Sequence, residues 1–173
     1  MKKQEARIYG LRQRSLIPLE ERKQRSKKIF LKILPLLEKY SCIGCYVSIK
    51  DEVDTSFILN WCFENHKKLC VPKVVGNTLT FHMIESWSNL EEGSFHVLEP
   101  KSNEIIPVKN IDMMLVPLSA FDKDHNRCGY GKGYYDSILN DCSYKVGLAF
   151  SEQQVEQIEC ESFDIPLDEI ING

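Results

Sequence analysis

Four short runs, Ile43–Ile49, Leu69–Val75, Ile111–Val116 and Lys145–Phe150, limit what this chain can fold into more than any other feature. Ile43–Ile49 is apolar and rich in β-branched residues, and Ile111–Val116 (IDMMLV) is the strongest candidate for a strand buried on both faces. Thr78–Ile84 reads as a further strand. Between these runs lie helical segments: Asp54-Thr55 can cap a helix carrying Phe57, Ile58, Leu59, Trp61, Cys62 and Phe63, and Tyr134–Leu139 reads as another helix. The first forty residues read as two helices broken near Leu16-Ile17-Pro18. Pro18 and the glutamates after it suit a first turn, and Ile29, Phe30, Ile33 and Leu34 recur at helical spacing. This alternation predicts an α/β protein, a three-layer sandwich with a mostly parallel central sheet and N-terminal helices packed on it. At 173 residues the chain can bury one substantial core, so residues 1–173 are expected to form a single domain.

Charge narrows the partners. The formal net charge is −3, whereas a general nucleic-acid binder needs a basic excess against phosphate. Lys and Arg crowd into Met1–Lys39, where most of them read as a solvated helix face. No apolar leader or bilayer-length run is seen, so neither nucleic acid nor membrane is an expected partner. Seven cysteines without regular spacing read as reduced thiols of a cytoplasmic protein. Cys42-Ile-Gly-Cys45 enters a strand and reads as small buried hydrophobes. His66, His82, His96 and His125 are scattered, which argues against a histidine–metal site.

Ligands of open α/β sheets bind beyond the carboxyl ends of the strands, and the segment Val116–Asp136 occupies that place. Gly129, Gly131 and Gly133 alternate there, and glycine permits both positive φ and close backbone approach. Amides running from such a turn into a helix N-terminus can cradle phosphate. Arg127 and Lys132 bracket the turn with positive charge, and Asp136 offers oxygen to a magnesium ion. The spacing is neither a Walker loop nor a dinucleotide fingerprint. On these residues alone, a tight turn with Tyr134 and Tyr135 filling the core is an equal alternative.

The segment Arg127-Cys-Gly-Tyr-Gly-Lys-Gly-Tyr-Tyr-Asp136, led in by Val116-Pro117 and Phe121-Asp122, resembles the signature of the 5-formyltetrahydrofolate cyclo-ligase family, the methenyltetrahydrofolate synthetases. The likeness runs along nearly the whole chain, through Lys3-Gln-Glu-Ala-Arg7, Glu52-Val-Asp-Thr55, Pro72-Lys73 and Glu99-Pro100. Leu118-Ser119 replaces the family's common Gly-Leu, and Cys128 replaces an aliphatic residue; both changes bear on loop conformation more than on reaction.

The resemblance implies a ligase of folate one-carbon metabolism. It would cyclise 5-formyltetrahydrofolate to 5,10-methenyltetrahydrofolate with ATP and Mg2+, through a phosphorylated formyl group, and require no protein partner. It implies ATP binding by Lys3, Gln4, Glu5, Ala6 and Arg7, and by Arg127, Cys128, Gly129, Tyr130, Gly131, Lys132, Gly133, Tyr134 and Tyr135, with Arg127 and Lys132 catalytic. Lys3 and Arg7 share a helix face; an exposed basic pair is the alternative. Val47 and Glu52, at the end of the Ile43–Ile49 run, would meet the pterin together with Tyr130 and Tyr134, although Glu52 could equally serve a helix N-terminus. Metal ligation falls to Asp136 and, by resemblance, to Asp164 in Asp164-Ile-Pro-Leu-Asp168, which also reads as an exposed loop residue. A binding module that sequesters folate without turnover, and a sugar-phosphate isomerase on a similar scaffold, are the rival readings.

Overall fold

The computed structural model describes residues 1–173. Two helices, α1 (Lys3–Ser15) and α2 (Leu19–Lys39), break at Leu16–Pro18 as the sequence predicts. There follow β1 (Cys42–Cys45), α3 (Ser56–Glu64), β2 (Lys68–Val75) and β3 (Thr78–Ile84). Short pieces β4 (Leu90–Glu92), β5 (Leu98–Pro100) and β6 (Ile105–Ile106) lead to β7 (Met113–Val116). Then come β8 (Ala120–Phe121), β9 (Arg127–Cys128), β10 (Lys145–Ala149) and β11 (Glu169–Asn172).

Seven strands form the central sheet in the order β11-β10-β7-β1-β2-β3-β6. Pairings from β11 through β2 are parallel, and β3 and β6 add antiparallel neighbours at one edge. From β1 the chain builds outward through β2 and β3, then returns to place β7 on the other side of β1. The sheet therefore switches direction between β1 and β7, where open α/β sheets present a ligand crevice.

Alternation along the strands feeds two cores. Ile43, Cys45, Leu69, Val71, Met113, Leu115, Val146 and Leu148 face Ile29, Ile33 and Leu37 of α2 and Ile58, Leu59 and Cys62 of α3. Cys70, Met114, Val116 and Ala149 face the opposite side, covered by Ile138, Leu139, Cys142 and Leu167. That second cover is turns and a short 3-10 segment, so the third layer carries no long helix.

Two expectations need correction. The predicted helix Tyr134–Leu139 is a series of turns ending in the 3-10 segment Leu139–Asp141. Ser137 donates back to Tyr134 O (2.6 Å), and Ile138 and Leu139 both donate to Tyr135 O. So short a segment, with polar side chains competing for its backbone, has little to sustain a helix. The predicted strand Ile43–Ile49 pairs only through Cys45. Beyond it the Thr55 hydroxyl donates to Tyr46 O (2.9 Å) and accepts from Ser48 N (3.0 Å), while Ser48 Oγ accepts from Thr55 N, so a local side-chain lattice replaces the ladder.

Helix α1 packs on β8, β9 and the 3-10 turn Ser151–Gln153 rather than on the sheet face. Gly10 makes the approach possible: a Cβ there would lie 2.0 Å from Ser119 O and 3.0 Å from the Ala120 Cβ. Alanine is ordinarily the better helix residue by about 0.5–1 kcal/mol. Gly10→Ala should nonetheless lower stability by about 2 kcal/mol through overpacking, read as a fall in the urea midpoint. A raised midpoint would mean that α1 can lift off without cost.

Candidate active site

A cleft of about 510 Å³ opens at the switch point. Tyr46 and Val47 after β1, and Pro117 after β7, form its floor, while the loop 127–136, α1, and the segment around Phe95 form its walls.

One end is cationic. Arg127 on β9 is 9% exposed, and Asp136 accepts from it at 3.1 Å while remaining largely in solvent itself. Its guanidinium lies 5.9 Å from the Tyr135 ring, and its Nε is buried without a partner. Burial lowers the Arg127 pKa, with Asp136 acting against the shift. A buried cation with one partly solvated partner and an orphaned donor is built to take a second anion. Gly129 leaves room for the guanidinium, since a Cβ there would sit 2.7 Å from the Arg127 NH2 nitrogen. Gly131 (φ 91°) and Gly133 (φ 71°) turn the loop through conformations that L side chains rarely adopt. Arg7 crosses from α1 to donate to Gly129 O at 2.9 Å, and the Lys132 ammonium lies 5.7 Å over the Phe95 ring. Lys3 lines the same end and donates to Asp164 at 2.6 Å. Because Tyr134–Leu139 is not helical, this end is built from side-chain cations and a glycine loop, without the helix N-terminus expected from sequence.

The other end carries one oriented carboxylate. Glu52 Oε1 accepts from Ile49 N at 2.7 Å, and Oε2 accepts from the Tyr130 hydroxyl at 2.8 Å. Burial raises the Glu52 pKa above the ordinary carboxylate value, with the bonds from Ile49 and Tyr130 opposing it. Tyr135 lies between the two ends; its hydroxyl is buried without a partner and its pKa is raised by burial. Tyr134 and Tyr135 supply apolar wall above Val47, with Tyr135 edge-on to Phe81 at 6.4 Å.

The cleft thus gathers Val47, Glu52, Lys3, Arg7 and Arg127 through Asp136, residues more than a hundred positions apart in sequence. Gln4, Glu5 and Ala6 are not among its lining: Gln4 and Glu5 face solvent, and Ala6 is fully buried against Cys128, Ala120, Val155 and Ile158. A helix segment can offer only one face to a cleft, so three of five consecutive residues point elsewhere. Asp164 lies outside the lining, tied to Lys3, while Asp136 lies within it.

For a divalent cation, no group of three or more His, Cys, Asp or Glu side chains converges. The exposed Asp136 carboxylate at the cationic end still suits magnesium, which takes one or two carboxylates and completes its shell with phosphate oxygens and water.

Several structural residues escaped sequence reasoning. Asp122 is 1% exposed; its carboxylate accepts from Asp124 N, Asn126 N, Asn126 Nδ2 and Ile158 N, closing the β8–β9 hairpin that carries Arg127. Glu99 accepts from Val74 N (2.9 Å) and Ser94 N (3.0 Å) and so fixes the Phe95 wall. Ser119, a departure from the family pattern, places its hydroxyl 2.8 Å from Gly129 O and 3.0 Å from Cys128 O, sharing its one proton between them. Cys128 fills the small apolar cluster under α1. The Phe121-Asp122 and Glu99-Pro100 pairs were visible as motifs, but their role as backbone staples was not.

Fold and site together define an α/β enzyme whose cleft joins a cationic, glycine-lined end to an apolar end bearing a carboxylate. The chain belongs to the 5-formyltetrahydrofolate cyclo-ligase family, whose sequence model matches residues 1–173, and it is accordingly a ligase. An NMR structure of a 5,10-methenyltetrahydrofolate synthetase from Aquifex aeolicus aligns with a TM-score of 0.88 at 34% identity, covering 98% of this chain and 89% of that one. A 5,10-methenyltetrahydrofolate synthetase from Mycoplasma pneumoniae aligns with a TM-score of 0.80 at 28% identity, covering 99% and 98%. The 5-formyltetrahydrofolate cyclo-ligase of Haemophilus influenzae is 28% identical over 183 residues, 99% of this chain and 98% of that protein.

Removing the Asp122 acceptor strands the buried Ile158 N–H and frees the part-buried donors of Asp124 and Asn126. Asp122→Ala should cost about 3 kcal/mol, measured by urea unfolding. An unchanged midpoint would show that solvent or another acceptor replaces the carboxylate.

Proposed function

We propose that this enzyme cyclises 5-formyltetrahydrofolate to 5,10-methenyltetrahydrofolate with conversion of ATP to ADP and phosphate, in a magnesium-dependent reaction. One observation carries the reading: a single cleft holds a buried, half-paired Arg127 at one end and the oriented Glu52 carboxylate at the other. A polyphosphate answers the first and the amino and ring N–H groups of a pterin answer the second. The working unit is one domain, residues 1–173, acting in the cytoplasm on small molecules without nucleic acid, membrane or an obligate protein partner. No helix is long and apolar enough to cross a membrane.

An amide oxygen is a poor leaving group, which is why the cyclisation consumes ATP. The formyl oxygen attacks the γ-phosphorus and the bond to the β-phosphate oxygen breaks, releasing ADP. N10 then attacks the formyl carbon. Loss of the N10 proton and departure of phosphate with the former formyl oxygen leave the methenyl bridge. The chain's contribution is positioning and charge stabilisation. Arg127 and Lys132 hold the transferring phosphoryl group, Lys3 and Arg7 hold the remaining phosphates, and Gly129, Gly131 and Gly133 admit them close to the backbone. Tyr130 and Tyr134 offer flat faces to the rings, and Val47 packs beside Glu52. Asp136 would hold magnesium with phosphate oxygens; Asp164, held by Lys3, is the second carboxylate nearest that role. The ion would neutralise phosphate charge.

The test is absorbance of the conjugated methenyl product. Arg127→Ala and Lys132→Ala should each lower kcat by about 100-fold or more while the protein stays folded. Wild-type rates in both would remove the assigned phosphate roles.

A pH profile tests the other end. Glu52 accepts pterin N–H groups only as the carboxylate, and its pKa is raised, so kcat/KM for the folate should fall as pH drops through a value above the ordinary 4.5. Glu52→Gln should lower kcat/KM and lose that acid limb. Retention of the limb would assign it to another group.

A further inference from the structure

Arg14 lies seven residues beyond Arg7 on α1, outside the cleft lining, and no motif marks it. It is 5% exposed, and its guanidinium touches three separate segments. Nε and the NH2 nitrogen meet Asp51 Oδ1 at 3.0 and 2.9 Å, NH1 donates to the Tyr130 hydroxyl at 2.9 Å, and NH1 lies 3.4 Å from Leu118 O. Its charge also sits 5.7 Å from the Tyr130 ring centroid.

The direction of these bonds matters. A guanidinium can only donate, so Tyr130 must accept from Arg14 and send its own proton elsewhere. Glu52 Oε2 lies 2.8 Å away and takes it. With Ile49 N on the other oxygen, the carboxylate is held at both ends and can only accept from a ligand.

We infer that Arg14 is the positioning residue of this end of the cleft, fixing the Tyr130 hydroxyl so that it orients Glu52 as an acceptor for the folate. Arg14 never touches substrate; it acts through Tyr130 and rests on the reading of Glu52 as the pterin partner. Lysine cannot replace it, because one ammonium cannot span Asp51, Tyr130 and Leu118 in the fixed fork that a guanidinium provides.

The test separates the two substrates. Arg14→Lys should raise the folate KM about tenfold and leave the ATP KM within about twofold, a split that a merely structural cross-link would not produce. In a Tyr130→Phe background the same change should raise the folate KM no further, since the relay is already cut. If Arg14→Lys does not fold, Asp51→Asn loosens the fork from outside the cleft and should raise the folate KM about threefold with the ATP KM unmoved. Equal rises in both KM values, or full additivity with Tyr130→Phe, would overturn the positioning role. So would an unchanged folate KM in Arg14→Lys when Glu52→Gln raises it. An unchanged folate KM in Glu52→Gln itself would instead bring down the reading on which the inference rests.

Discussion

The seating of α1 on the segment 118–130 is the contact on which the rest of the site depends. Gly10 meets the Ser119 carbonyl with no room for a Cβ, and Ala6 closes a small apolar cluster with Ala120 and Cys128. These contacts bring Arg7 to Gly129 and Arg14 to Tyr130. The sheet builds the floor of the cleft, but its wall and two of its charged fastenings come from a helix that packs beside the sheet rather than on it. Small residues at the contact are therefore a packing requirement, because a helix displaced at a close-packed contact shifts the loop it supports.

Charge is distributed along the cleft with the same logic. Arg127 sits under the glycine loop with one carboxylate neighbour that solvent can reach, so its charge stays under-compensated until an anion arrives. Glu52, at the other end, is desolvated but held by two donors. Burial shifts the pKa of both groups, Arg127 downward and Glu52 upward, as is common for charged groups in binding clefts. Two buried donors, the Tyr135 hydroxyl and Arg127 Nε, are left without a partner along the same cleft.

Much of this was legible in the sequence, for physical reasons. Strand β7 is buried along its whole length, so Ile111–Val116 announces itself by composition. The Leu16–Pro18 break is written in proline and glutamate. Three features were not legible. Tyr134–Leu139 has helical spacing, but Tyr135, Ile138 and Leu139 are bound by the core into turns. Gln4, Glu5 and Ala6 share a motif with Lys3 and Arg7, yet helix geometry turns them away from the cleft. Arg14 lies in a stretch crowded with basic residues, and nothing local distinguishes a buried, triply engaged arginine from its solvated neighbours. Its partners Asp51, Leu118 and Tyr130 are brought to it only by the complete fold.

Ser119 and Cys128 depart from the family pattern, and the structure gives both a use. The Ser119 hydroxyl staples Gly129 of the loop to the segment that follows β7, and the Cys128 side chain packs with Ala6 and Ala120 under α1. In the proposed reaction, one cleft brings ATP and the formyl group into direct contact. The most direct measurement is to supply 5-formyltetrahydrofolate with an isotopically labelled formyl oxygen and find the label after one turnover. Labelled oxygen in the released inorganic phosphate is the predicted result. Unlabelled phosphate, with the label in water, would mean that ATP is hydrolysed without touching the formyl group, and would contradict the account.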